Sequence, residues 1–400
     1  MVIKRHIIDA AIILVVTVLL FLTIEFVLRL IYPEKVIEAR SAYRFDPETL
    51  VSLKPDIEKI FERQAINGGN IITWKTNSQG LRGPELQKNP DLRIMVYGDS
   101  NIQARFSDYK DTYPQKLKKY LSEQLKDTGI EVINAGLVGA GPDQSLLRFK
   151  RDAKKFKPDV VVFHIFSAND YGDLIKNRLF NLNPEGEVVL SGMPTKVDSE
   201  ILNREGFKHF VSSLLIVKAV KKFIPKQKSP ELSADDWVNE LLKLNKEYYA
   251  VFKNNKPGKF SHFGDYYDLD VATSPGSESS MVKIKLMHGV LLKAYNFARK
   301  NNIKFLVQIQ PSAVDLTKNI LFSYEDLAKF PDYKPVNLTS FIADFCHSRD
   351  IPCINLYDVY RLNNPEELYF RGANNHWNDA GQDLAAKASS LYIMKLLEGN

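Results

Sequence analysis

The sequence predicts an α/β fold: a parallel sheet covered by helices on both faces, preceded by one membrane-spanning helix. Three observations predict it. Strand-like and helix-like patterns alternate along most of the chain, as in parallel sheets joined by helical crossovers. Asp159-Val-Val-Val-Phe-His-Ile-Phe166 is an uninterrupted apolar run, the signature of a strand buried on both faces. Ala10–Ile24 is apolar apart from threonine, and Ile7–Tyr32 reads as one helix. A bilayer takes about 20 such residues to span.

The elements follow in order. Lys4 and Arg5 precede the N-terminal helix, and Glu25-Phe-Val-Leu-Arg29 offers no small-residue cleavage site, so 1–32 reads as an anchor rather than a cleaved signal. Glu25 and Arg29 stand i, i+4 apart in the favourable order for a helical ion pair. Arg29, Lys35 and Arg40 on the far side leave the positive-inside count ambiguous. Residues 33–90, with Pro55, Gly68-Gly69 and Thr76-Asn-Ser-Gln-Gly-Leu-Arg82, read as a lead-in of turns and short strands. A strand from Arg93 runs to Gly98-Asp99-Ser100, and a loop leads to Thr112-Tyr-Pro114, a helix start with proline in its first turn. Leu117, Tyr120, Leu121 and Leu125 give that helix an apolar face. Glu131–Gly141 begins as a strand and dissolves into Gly136, Gly139 and Gly141, ahead of a helix over 143–155.

After the 159–166 strand the alternation fails from Arg178 to about Val282, marking an insertion. It holds a basic amphipathic helix at Phe210–Pro225, fit either to cover a core or to touch anionic headgroups, and a second helix at Trp237–Val251. Alternation resumes with a helix at Lys283–Lys300, a strand at Ile303–Gln310, a helix at 338–349, a strand at Ile351–Leu356 and a closing helix from Asp379. The organisation is thus 1–32 tail and anchor, 33–90 lead-in, and 91–400 main domain with an insertion at about 178–282.

Four blocks carry chemistry. A serine where a strand stops (Ser100) and a late histidine beside polar residues (Asn374-Asn-His376-Trp377) are the raw material of a serine hydrolase, since nucleophile and base need only meet in space. Between them lie the glycine-rich end of 131–141 and Ser167-Ala-Asn169-Asp170. In this order the blocks resemble the SGNH (GDSL-type) hydrolases, named for serine, glycine, asparagine and histidine. Their motifs span about residues 90–395, less the insertion.

The resemblance implies a flavodoxin-like three-layer α/β/α domain with no cofactor and no metal. Ser100 is the implied nucleophile and His376 its base. The implied oxyanion hole comprises Ser100, Gly139 and Asn169. Gly139 is taken over Gly136 because it stands five residues after Asn134, the family's Asn-x-x-x-x-Gly spacing. Backbone N–H groups and an amide aimed at a developing oxyanion are each worth about 100- to 1,000-fold in rate. Asp99 and Asp170 are expected to hydrogen-bond the loops that hold Ser100 and Asn169. Trp377 is expected to pack and fix the histidine.

One position departs from the family pattern. The aspartate that orients the histidine is replaced by Asn374, with Ala373 before it. Asparagine can hydrogen-bond imidazole but offers imidazolium no charge, and the equivalent change in a serine protease lowers turnover about 10⁴-fold. Asp379 is expected to start the last helix and point elsewhere.

An anchor combined with a His-Trp block resembles proteins that add or remove O-acetyl groups on cell-envelope or exported polysaccharides. The expected activity is therefore a single-pass serine esterase of the cytoplasmic membrane. Residues 7–32 would lie in the bilayer and the catalytic domain in the periplasm or outside the cell. Expected partners are an acylated carbohydrate and envelope polysaccharide assembly proteins. An O-acyltransferase, and a catalytically silent protein that binds glycan or a partner through the same cleft, remain alternatives.

The remaining features are bland. A hydrophobic content of 44%, a charged content of 26% and a net charge of +6 over 400 residues describe an ordinary globular chain. The absence of a P-loop, a Gly-x-Gly-x-x-Gly after a strand and any nucleic-acid module argues against nucleotide or nucleic-acid partners. Cys346 and Cys353 either pair in an oxidising compartment or are two buried thiols flanking a helix-to-strand turn. His262 with Asp265, Asp268 and Asp270 matches neither an EF-hand nor a zinc spacing and reads as a loop. His164, in mid-strand, reads as a satisfied core histidine.

Overall fold

The computed structural model describes residues 2–31, 42–46, 48–177, 179–191, 267–318, 327, 330–371 and 375–398. The chain divides into two units, 1–42 with 195–230, and 43–194 with 231–400. The first is described through helix α1 (Val2–Ile31). Its large side chains from Ile12 to Val27 are mostly exposed. Among the described residues no helix is long and apolar enough to cross a membrane.

The second unit opens with two antiparallel hairpins, β1 (Tyr43–Asp46) with β2 (Leu50–Leu53) and β3 (Glu58–Glu62) with β4 (Ile71–Lys75). A five-stranded parallel sheet follows. Its strands are β5 (Leu92–Gly98), β6 (Ile130–Gly136), β7 (Val160–Phe166), β10 (Lys304–Gln310) and β11 (Cys353–Asn355), in the order β11-β10-β7-β5-β6. Every pairing is parallel. The chain therefore starts mid-sheet, adds one strand to one side and then three to the other, which is the flavodoxin-like order. Its switch point lies between β5 and β7, where such folds place ligands beyond the strand ends.

Strand alternation feeds two cores. Met95 and Tyr97 of β5 and Val161, Phe163 and Ile165 of β7 enter one, with Phe149, Leu286 and Ile342 from the helices on that face. Ile94, Val96, Val160 and Val162 enter the other, with Leu117, Leu121, Ala385 and Trp377. Those helices are α2 (Ser100–Gln103), α3 (Tyr113–Gln124), α4 (Pro142–Phe156), α5 (Asp170–Asn177), α6 (Leu269–Thr273), α7 (Glu278–Lys300), α8 (Asn337–Ser348), α9 (Tyr357–Arg361) and α10 (Asp379–Glu398). Proline opens both α3 and α4, where its missing N–H costs nothing.

The differences from expectation have local causes. The segment after Ser100 is a short helix, because the Asp99 carboxylate accepts the Asn101 N–H and caps it. Helix α7 starts at Glu278, five residues earlier than its apolar pattern, capped by the Ser277 hydroxyl on Ser280 N. Strand β11 is shorter than 351–356, since Pro352 has no N–H to give to the ladder. The start of the insertion forms a hairpin, β8 (Phe180–Leu182) with β9 (Val188–Leu190). Its expected helices at 210–225 and 237–251 lie outside the described residues, as do His262 and Asp265.

Asp268 and Asp270 hold the buried Lys283 ammonium at 3.0 and 2.6 Å. They form a structural ion triad, and no metal-type cluster occurs among the described residues. Cys346 and Cys353 are buried free thiols at the end of α8 and the start of β11.

Candidate active site

Ser100 begins α2 directly off β5, with its hydroxyl at the switch point of the sheet. Two close approaches demand glycine nearby. A Cβ on Gly98 would strike Ile102 and His164, and one on Gly136 would meet the Gln103 and Ile102 backbone within 2.6 Å. Asp99 lies beneath the serine. Its carboxylate accepts the Asn101 N–H at 2.8 Å and lies 3.2 Å from Ser100 Oγ. Burial raises the Asp99 pKa despite the nearby His164 ring and the Asn101 hydrogen bonds.

His376 arrives from the far end of the sequence, and its Nε2 lies 2.7 Å from Ser100 Oγ. Its loop is pinned on three sides. Trp377 Nε1 donates to Asn101 O at 3.1 Å, and its ring stacks on Tyr113 at 5.9 Å. Phe370 N donates to His376 O at 2.9 Å. Asn375, buried with φ +59°, accepts from Ser312 Oγ at 3.1 Å and from Ala313 N. The tryptophan thus fixes the base by fastening its loop to the nucleophile's own helix.

Gly139 sits at φ +71° with open space where a Cβ would point. The left-handed backbone, rather than crowding, calls for glycine there. Asn169 follows β7, and its Nδ2 donates to Asp173 Oδ2 at 3.4 Å. Asp170 Oδ2 accepts the Phe166 N–H at 2.8 Å, tying off the strand end. Burial, with Asp99 and Asp173 nearby, raises the Asp170 pKa well above the ordinary carboxyl value.

Ser100, Gly139, Asn169 and His376 line one pocket of about 550 Å³, together with Asp173, Arg105, Phe106, Phe166 and Phe370. The four residues singled out in the sequence are therefore brought together. Asn374 lies outside the described residues. Asp379 faces away from the histidine, pairing with Arg63 at 2.9 Å and accepting from Ser107 at 2.5 Å. His164 bonds Gln310 through Nε2 at 2.8 Å, while its Nδ1 is buried without a hydrogen bond. Burial lowers its pKa, against the nearby Asp99 carboxylate and the Gln310 hydrogen bond.

Three supporting residues went unread in the sequence. Arg82, 2% exposed, donates to the carbonyls of Gln103, Ala104 and Ser107 and closes the loop behind α2. Burial lowers its pKa to about 10, so it still holds its charge at neutral pH. Asn375 locks the histidine loop, and Asp173 holds the Asn169 amide. A lone arginine after a turn carries no sequence signal of such a task, and Asn375 is hidden by the more conspicuous His376.

A hydroxyl hydrogen-bonded to an imidazole, at a pocket wall that also presents a glycine backbone and a side-chain amide, can deprotonate the serine and receive an oxyanion. No family model matches the chain, and no curated protein matches it significantly. Similar solved structures include a two-domain esterase active on acetylated mannans, co-crystallised with mannopentaose, at 11% identity and TM-score 0.37. That match covers 76% of this chain and 49% of that one, so the chain spans about half its length. An acetyl xylan esterase matches at 14% identity and TM-score 0.36, covering 76% and 98% of the two chains. A lipase/acylhydrolase from Enterococcus faecalis matches at 10% identity and TM-score 0.36, covering 77% and 96%.

Proposed function

We propose that the protein is a serine esterase that removes O-acyl groups, chiefly O-acetyl, from a cell-envelope or exported polysaccharide. The observation that carries the reading is the 2.7 Å contact between Ser100 Oγ and His376 Nε2, made across 276 residues of sequence. In this reading His376 takes the Ser100 proton as Oγ attacks the ester carbonyl. The tetrahedral oxyanion is held by the backbone N–H groups of Ser100 and Gly139 and by Asn169 Nδ2. His376 returns the proton to the departing sugar oxygen, and water then cleaves the acyl-serine. If a sugar hydroxyl replaces that water, the same intermediate makes the protein an acyltransferase. The carbohydrate substrate rests on the resemblance carried by the anchor and the His-Trp block.

The test is labelling of the full chain with a fluorophosphonate. Wild type should label and Ser100→Ala should not. Equal labelling of both would place the reactive nucleophile elsewhere and sink the proposal. The second reading is a silent protein that binds glycan or an assembly partner through the same pocket. It is favoured by Asn374 standing where an aspartate is expected, and it predicts no labelling of wild type.

We further propose that 7–32 anchors the chain in the cytoplasmic membrane with residues beyond 32 outside the cytoplasm. The reading is supported by the 30-residue helix α1 and its run of exposed apolar side chains over 12–27. An alkaline phosphatase reporter fused after Asn400 should be active. Activity only of a cytoplasmic reporter would reverse the orientation.

A further inference from the structure

Arg105 and Asp173 both line the pocket. Asp173, 1% exposed, sits beside Asn169, whereas Arg105 is exposed at the rim. Other basic side chains around this wall are already engaged. Arg63 pairs with Asp379, and Arg82 is consumed by three carbonyls. Arg105 has no ion pair among the described residues.

The side chain is nonetheless held in place. Its guanidinium carbon lies 4.1 Å from the Phe61 ring centre and 5.4 Å from that of Phe106. Phe106 meets Phe370 edge-on at 6.3 Å, and Arg63 covers Phe370 at 5.3 Å. The rim is thus a row of Phe61, Arg105, Phe106, Phe370 and Arg63, with Phe61 supplied from β3 of the lead-in. Stacking uses the faces of a guanidinium and leaves its edge donors free, and those donors form the planar fork that matches a carboxylate bidentately. Less rotamer freedom is then lost when the fork binds, which favours recognition at an exposed site.

We propose that Arg105 reads an anionic group on the substrate, a uronate-type carboxylate on or next to the acylated sugar, and makes the enzyme selective for acidic over neutral glycan esters. This rests on the esterase reading and assigns its substrate class. The uncharged ester enters the pocket beside Ser100 while the carboxylate is received at Arg105.

The test uses the full-length protein and two matched probes, methyl tri-O-acetyl-glucuronoside and its neutral C6 carboxamide, methyl tri-O-acetyl-glucuronamide. The readout is the ratio of kcat/KM for the acid over the neutral sugar. Wild type should favour the acid, and Arg105→Gln should lower that ratio about tenfold, the scale of one partly solvated charged hydrogen-bonded pair. Arg105→Lys should recover only part of it, because an ammonium lacks the fork. Raising the salt from about 0.05 to about 0.5 M should shrink the wild-type ratio and leave that of Arg105→Gln nearly flat. An unchanged ratio in Arg105→Gln overturns the proposal.

If neither probe is hydrolysed, fluorophosphonate labelling decides the esterase reading and calorimetry decides this one separately. Binding of an oligoglucuronate over the matched glucan, lost in Arg105→Gln, would sustain the anion site. Equal binding of both glycans would remove it.

Discussion

His376 and the serine are fixed by different devices, and the contrast bears on the missing carboxylate. Ser100 is held by backbone, between the tight packing at Gly98 and the Asp99 cap. His376 is held through its neighbours, Asn375 and Trp377, which fasten the loop without touching the imidazole's charge. These contacts position the loop but supply no negative charge of their own to stabilise imidazolium. Asn374→Asp should then raise the rate of fluorophosphonate labelling and of ester turnover, by up to about 10⁴-fold if no other anion serves His376. A rate unchanged within about twofold would mean that another group already supplies the charge, since tenfold corresponds to about 1.4 kcal/mol of barrier. The four site residues were legible because each terminates a conspicuous pattern, a strand end or a His-Trp pair. Arg82, Asn375 and Asp173 were not, because their contacts join segments that are distant in sequence or hidden behind a better-known neighbour.

At the scale of elements, the parallel strands and covering helices were readable from periodicity, and their ends were less so. Strand and helix positions set by burial alternate in the sequence, as in β7, whose two faces feed separate cores. Ends are set by single hydrogen bonds such as those of Asp99 and Ser277, which leave weaker traces. The lead-in shows how far local patterns can mislead about importance. Its turn Thr76–Arg82 looks like connecting chain, yet Arg82 reaches three carbonyls behind α2, and Phe61 of β3 braces Arg105. The β3-β4 hairpin and the turn after it therefore support the wall of the candidate site, a relation that arises only when non-adjacent segments pack.

Over the whole molecule, several carboxyl groups are buried close to the sheet's C-terminal edge, and their titration couples stability to pH. Asp315, just after β10, is the clearest of them. Tyr267 donates to its Oδ1 at 2.5 Å and Tyr333 at 2.9 Å, while Oδ2 is buried with no hydrogen bond. Burial raises its pKa to about 7, against which the two tyrosine hydrogen bonds act only in part. The unfolded chain releases this proton near pH 4 and the folded chain only near pH 7. Between those values the folded state binds more protons, so this residue's contribution to stability is greatest below about pH 4 and declines as pH rises to about 7. The rise to about 7 corresponds to about 4 kcal/mol at its full extent. Asp268, raised to about 6 by burial beside Lys283, acts in the same direction, so the decline must be isolated by difference. Asp315→Asn keeps an acceptor for both tyrosines and removes the titration. Its unfolding midpoint relative to wild type should therefore climb between about pH 4.5 and about pH 8. Parallel pH profiles for the two proteins would show that the folded state admits water or a cation to the Asp315 carboxylate and bears no penalty for its charge.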